Sequence, residues 1–163
     1  LGTDEVREIR GIELIMQQPL DFIADGLGFY GNYSFVNSSD LTLQFGSTVV
    51  TTTIQGLSEN LFNLVLFYER ERFSIRGSYN WLDSFSETTG LQGNLPDLQI
   101  REPPGQLDIS ASYNLPGFDD LQLTLEAINV TGTDEYTYFG VPERNFRFAG
   151  TGSTYFLGVP GSF

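Results

Sequence analysis

The chain has no cysteine, no histidine and no lysine; its eight cations are all arginine. Without Cys or His there can be no disulfide framework, no thiolate chemistry, no Cys/His zinc site and no His-based catalytic triad. Positive charge is scarce as well. Eight arginines stand against 21 carboxylates, for a formal net charge of −13. That balance opposes nucleic-acid binding, which rests on neutralising phosphates, and opposes a polybasic membrane-surface module. No apolar run approaches the roughly 20 residues of a membrane-spanning helix. Helical periodicity is absent almost everywhere.

What is present is apolar and aromatic. A content of 40% hydrophobic and 14% aromatic residues is too rich for a disordered chain, and 163 residues suffice for one domain. The apolar residues recur with a period of two, the signature of strands whose two faces meet different environments. Seven such strands are predicted, at about 5–17, 27–37, 60–70, 72–82, 105–115, 120–130 and 154–163. The cleanest sets Phe73, Ile75, Gly77, Tyr79 and Trp81 against Arg72, Ser74, Arg76, Ser78 and Asn80. The sixth loses its alternation at Ile128-Asn129-Val130. Lengths near ten residues exceed the ~5–6 of ordinary strands and suit the ~9–11 of a tilted membrane-spanning strand.

The connections fall at about 18–26, 38–59, 70–72, 83–104, 116–119 and 131–150. After an intermediate first one they alternate between long and short. Glu69-Arg70-Glu71-Arg72 and Pro116-Gly117-Phe118-Asp119 read as tight turns, and the long stretches read as loops rich in Gly, Thr, Ser and Asp. Sorting of long and short connections to opposite ends is expected of a transmembrane barrel, with the short turns periplasmic and the long loops extracellular. The reading is an all-β fold: an antiparallel, up-and-down transmembrane β-barrel segment of about seven long strands, an incomplete barrel occupying residues 1–163.

Aromatic side chains fit that geometry. Phe29, Tyr68, Phe73 and Tyr113 fall near the short turns on the apolar faces, and Phe35, Tyr79 and Trp81 toward the long loops. Two such girdles flanking an aliphatic band suit the two water–lipid boundaries. On the opposite faces Glu13, Asn63, Arg76, Asn80, Asp108 and Glu126 would point into a wet lumen. Inward-facing core aromatics of a β-sandwich, with the charges on a solvated outer face, are the competing reading.

Catalytic chemistry is not indicated. Asp119-Asp120, Asp134-Glu135 and the group Asp83, Glu87, Asp97 and Glu102 are carboxylate-rich, but show neither the spacing of a calcium loop nor an acid/base pair of fixed geometry. The chain is expected not to be an enzyme and to need no cofactor. Candidate ligand contacts in the loops are Asp83, Glu87, Asp97, Tyr136, Tyr138 and Phe139.

Several runs, taken in order, resemble a known family. They are Arg10-Gly-Ile-Glu-Leu, Asp25-Gly-Leu-Gly-Phe-Tyr-Gly-Asn-Tyr-Ser-Phe-Val, Asn63-Leu-Val-Leu-Phe-Tyr-Glu and Phe73-Ser-Ile-Arg-Gly-Ser-Tyr-Asn-Trp. Gly105-Gln-Leu-Asp-Ile-Ser-Ala-Ser-Tyr, Leu125-Glu-Ala-Ile-Asn-Val-Thr and Thr154-Tyr-Phe-Leu-Gly-Val-Pro-Gly-Ser-Phe continue the set. Together they resemble the C-terminal β-barrel of TonB-dependent outer-membrane receptors. The resemblance implies a barrel of about 22 strands filled by an N-terminal plug that carries a TonB box. On that reading plug, TonB box and earlier strands precede this chain, which would be the C-terminal piece of a longer protein.

The resemblance implies a transporter in the outer membrane of a Gram-negative bacterium, importing a siderophore, cobalamin, haem or an oligosaccharide with TonB-coupled energy. The implied partners are outer-membrane lipid, the barrel-assembly machinery, the TonB complex through the plug, and a small-molecule or oligosaccharide ligand; no nucleic acid. Tyr155, Leu157, Val159 and Phe163 would form the assembly signal. Pro160 departs from the family, which commonly has a polar or basic residue there. Two alternatives stand: another outer-membrane barrel (a passive porin or an adhesin), or a soluble β-sandwich binding carbohydrate.

Overall fold

In a computed structural model the described residues are 8–92, 95–117 and 121–159. Phe163, Pro160, Asp119 and Asp120 lie outside them, as does the start of the first predicted strand. All regular structure among the described residues is β, in antiparallel sheets.

Seven long strands form one open sheet: β1 (Ile9–Pro19), β2 (Leu27–Ser38), β5 (Asn60–Glu69), β6 (Phe73–Leu82), β9 (Gln106–Asn114), β10 (Gln122–Ile128) and β13 (Thr154–Gly158). Their order in space is their order along the chain, an up-and-down meander. Each coincides with one alternating segment of the sequence. The long connections differ from the expectation of irregular loops, because each carries strands of its own. These are β3 (Leu41–Phe45) with β4 (Thr48–Thr52), β7 (Phe85–Gln92) with β8 (Leu95–Glu102), and β11 (Glu135–Phe139) with β12 (Asn145–Ala149).

Register gathers most of the apolar residues onto one face, although Ile15, Tyr30, Val65, Phe67 and Phe156 lie on the other. Cross-strand partners share a side of the sheet, so the pairs can be followed as rows. One row runs Phe29, Leu66, Gly77, Ile109, Ala127, Tyr155; the next runs Leu27, Tyr68, Ile75, Ala111, Leu125, Leu157. A one-residue slip at any strand would break this face. Yet nothing covers it: no element packs over it among the described residues. Ile12, Leu66, Leu125 and Leu157 are 67%, 50%, 46% and 79% exposed, and Ala127 and Phe139 are the only buried apolar side chains described. The face measures roughly 29 Å by 26 Å from strand spacing and rise, about 750 Å². Soluble monomers rarely expose patches above about 300–600 Å².

The rows also run obliquely to the strands. Starting at Leu14, the middle of β1, the row passes Tyr33 and Phe62 to Trp81. Trp81 lies beyond Asn80, the last residue of β6 with a partner in β9. The middle of β6 is Gly77–Ser78, so the register has slid three to four residues in three steps. A slide of about one residue per strand, at ~3.3 Å rise and ~4.8 Å spacing, corresponds to a tilt of about 35°, as in closed barrels.

All three short turns lie at one end of this sheet. The first, 20–26, is fastened by Ala24 N–H to the Leu20 carbonyl at 3.1 Å and by Gly26 N–H to Asp21 Oδ1 at 2.9 Å. Gly26 has φ +87°, and a Cβ there would stand 2.0 Å from the Glu69 carbonyl oxygen, so only glycine fits. Arg70 of the next turn pairs with Asp25 and lies over the Tyr68 ring.

At the other end the wall continues past a bend. The second sheet has the order β12-β11-β8-β7, which repeats β13-β10-β9-β6 one storey up. β6 leads into β7, β8 into β9, β10 into β11 and β12 into β13. Two of the four interruptions have a local cause. Pro103 and Pro104 supply no ladder donors between β8 and β9, and Asn129, just after β10, takes a left-handed φ of 53°.

Candidate functional site

Two places gather the polar side chains: the non-apolar face of the wall and the four-stranded sheet above it. By register, Glu13, Asn63, Arg76, Asn80, Asp108 and Glu126 all lie on the face opposite the apolar rows. Asn63 is paired in register with both Asn32 and Asn80, and its Nδ2 donates to Asn32 Oδ1 at 2.9 Å. The Ser74 and Ser112 hydroxyls meet at 2.8 Å. Arg76, Asp108 and Glu126 come together around a hollow of about 150 Å³ with Ser78 and Ser110. Arg76 and Glu126 have no ion pair among the described residues, so both charges need a wet surface rather than a dry core. Glu13 stands apart, on the open-edged β1.

The seven girdle aromatics all lie on the apolar face. Toward the short turns the Tyr68 and Phe73 rings are 6.4 Å apart, with Tyr113 opposite Phe73. Toward the other end Trp81 is paired with Phe62, whose ring is 6.4 Å from Tyr79. There Tyr33 Oη donates to Asn60 Oδ1 at 2.5 Å, and Asn60 Nδ2 donates to Asp83 Oδ2 at 3.1 Å. A ring with its body on an apolar face and its hydroxyl on polar partners is the arrangement of an aromatic at a boundary.

Asn129 holds the bend. Its side chain is 4% exposed. Its Nδ2 donates to the carbonyls of Thr133 and Gly152 at 3.0 and 3.1 Å and to Thr151 Oγ1 at 3.3 Å. Its Oδ1 accepts from the Thr133 N–H and hydroxyl, each at 3.1 Å. Its own N–H donates to Asp108 Oδ1 at 2.8 Å. One short side chain thereby ties both legs of the segment 129–153 to the top of the wall. In the sequence this knot of bonds is marked only by the lost alternation at Ile128-Asn129-Val130.

The four-stranded sheet has two unlike faces. On one, Glu135 accepts from Arg101 at 2.6 Å and Arg147 at 3.0 Å, while Glu87, at a bulge in β7, lies 3.8 Å from Arg101 and accepts from Gln99 at 3.0 Å. The Arg101 hydrogen bond, with Arg147 beside it, holds the Glu135 carboxyl below its ordinary range against the opposing effect of burial. The other face carries Glu102, Tyr136, Tyr138 and Phe148. Burial, then the charges of Glu102 and Asp83, push the Tyr138 hydroxyl above its ordinary range.

Of the six candidate ligand residues, Glu87, Asp97, Tyr136, Tyr138 and Phe139 thus belong to one sheet, and Asp83 borders it. Phe139 is buried against Phe146, with rings 4.9 Å apart, and is a packing residue. Asp97 lies in β8. Among the described residues no three carboxylates converge to hold a metal ion. No protein-family model, no curated protein and no solved structure matches this chain.

Proposed function

We propose that this chain is part of the wall of a TonB-dependent transporter barrel in the outer membrane of a Gram-negative bacterium. The observation that carries the reading is the uncovered apolar face, continuous across seven strands in register. Lipid is the solvent that covers such a face without a second protein layer. The stagger of about one residue per strand, the unpaired charges on the opposite face and the position of all short turns at one end support it. A soluble sandwich would need a second layer against the apolar rows, and none of the described elements supplies it.

Coupling to TonB rests on the ordered family resemblance alone. It is tested by uptake of labelled ferric hydroxamate, haem, cobalamin and a glucose hexasaccharide into cells carrying the intact protein, with and without TonB. Import of at least one of the four that is lost without TonB is expected. Import that persists without TonB would instead identify a passive porin.

A further inference from the structure

The aromatic side of the four-stranded sheet carries a half-open hollow of about 310 Å³ lined by Glu102, Tyr136, Thr137, Tyr138, Pro142 and Asn145. That lies at the small end of ligand pockets, about 300–1,000 Å³. From this chemistry we infer that the hollow binds a neutral sugar residue of an oligosaccharide. The inference rests on the transporter reading, in which the sheet faces the outside.

A sugar ring presents two things: hydroxyls that both donate and accept, and a patch of C–H groups on one side. The hollow offers a match for each. Glu102 can accept two hydroxyl protons, the Asn145 amide can donate and accept, and each tyrosine hydroxyl can do both. For the C–H patch there is Tyr136, 43% exposed and paired in register with Glu102 on one side and Phe148 on the other. The Phe148 ring, 5.3 Å away and inclined at 57°, props it. Holding an aromatic ring in place before the ligand arrives lowers the cost of ordering it on binding.

The same surroundings disfavour an anionic solute. Arg101 and Arg147 lie on the opposite face, held by Glu135. Arg144 is already engaged. The charge beside the hollow is therefore Glu102, with Asp83 close enough to act on Tyr138. A phosphate or a polycarboxylate chelate would meet carboxylate there, and no arginine is among the described lining residues to answer it. A quaternary cation would gain from the rings, but a cation site is normally a cage of several aromatic faces, whereas Thr137, Pro142 and Asn145 form the remaining wall.

The test is isothermal titration of the intact protein in detergent with four neutral hexasaccharides: α-1,4 and β-1,4 glucans, a β-1,4 xylan and a β-1,3 glucan. Ferric citrate and tetramethylammonium serve as the anionic and cationic comparisons. At least one hexasaccharide should bind. Tyr136→Ala should weaken that binding at least tenfold, Glu102→Gln by several-fold, and Tyr136→Phe, which keeps the ring, by little. Binding of none of the four overturns the inference, as does preferential binding of either ion or indifference to both Tyr136→Ala and Glu102→Gln. Titration in detergent needs no TonB, so such a failure leaves the transporter reading standing, and loss of TonB-dependent uptake leaves this one.

Discussion

Replacing Asn129 by alanine is expected to loosen the upper sheet by about 3 kcal/mol or more while leaving the wall intact. The substitution removes up to five side-chain hydrogen-bond contacts at a position 4% exposed, three of them sharing the two Nδ2 protons and one sharing the Thr133 hydroxyl proton with the Gly105 carbonyl. It orphans the Thr133 N–H and the carbonyls of Thr133 and Gly152, each at about 1–3 kcal/mol where water cannot replace the partner. Alanine also bears the cost of φ 53°, about 1–2 kcal/mol. Asn129→Gly, free of that backbone cost, should lose less. Asn129→Asp keeps an acceptor for Thr133 but turns a carboxylate toward two carbonyls beside Asp108, so at neutral pH it should be no better than alanine. Amide hydrogen exchange reads this locally. At 1.4 kcal/mol per tenfold, exchange over 135–149 should accelerate about 100-fold in Asn129→Ala, with β9 unchanged. Unaltered exchange would show that Asn129 does not hold the bend.

The second large effect concerns the two faces of the wall. Leu66→Arg and Ile109→Arg put a guanidinium in the middle of the apolar rows. If those rows face lipid, each should cost about 2–4 kcal/mol, and the penalty should fall to about 0–1 kcal/mol near the boundary, as at Phe73. Ser78→Arg, on the opposite face with Asp108 as its cross-strand partner, should be close to neutral. Urea unfolding of the intact protein in lipid vesicles measures both. A sandwich core would also reject Leu66→Arg, but would show no dependence on distance from the short turns and no need for lipid. Equal costs on the two faces would contradict the barrel.

The wall strands were legible because their environments differ so strongly from one face to the other. Residues 73–81 and Gln106–Asn114 repeat apolar and polar residues without a break, and each predicted segment agrees within a few residues over its described part. The upper strands lack that contrast. In Glu135–Phe139 one face carries Glu135, Thr137 and Phe139 and the other two tyrosines, so alternation of type conveys nothing about burial. Thr48–Thr52 is five residues without a polar face, and Leu95–Glu102 contains Pro96, which argues against a strand. Gly46-Ser47 between Phe45 and Thr48 was a readable signal, a two-residue hairpin turn, with Gly46 at φ 62°. The candidate loop residues could be named by type, but that Tyr136 and Glu102 are neighbours follows from β8 pairing with β11. That contact lies between segments more than 30 residues apart, and no local pattern encodes it.

This chain contains no cysteine, so with any cysteine elsewhere in the intact protein replaced by serine the lining of β5 can be probed one residue at a time. Single cysteines introduced at 61–67 along β5, in the intact protein in outer membranes, can be tested for reaction with a membrane-impermeant maleimide. The same positions carrying a fluorophore can be tested for quenching by a lipid-dissolved quencher. Residues 62, 64 and 66 should be quenched from lipid and unreactive toward maleimide, whereas 61, 63, 65 and 67 should show the reverse. Maleimide labelling at all positions, or no alternation with a period of two, would contradict the account.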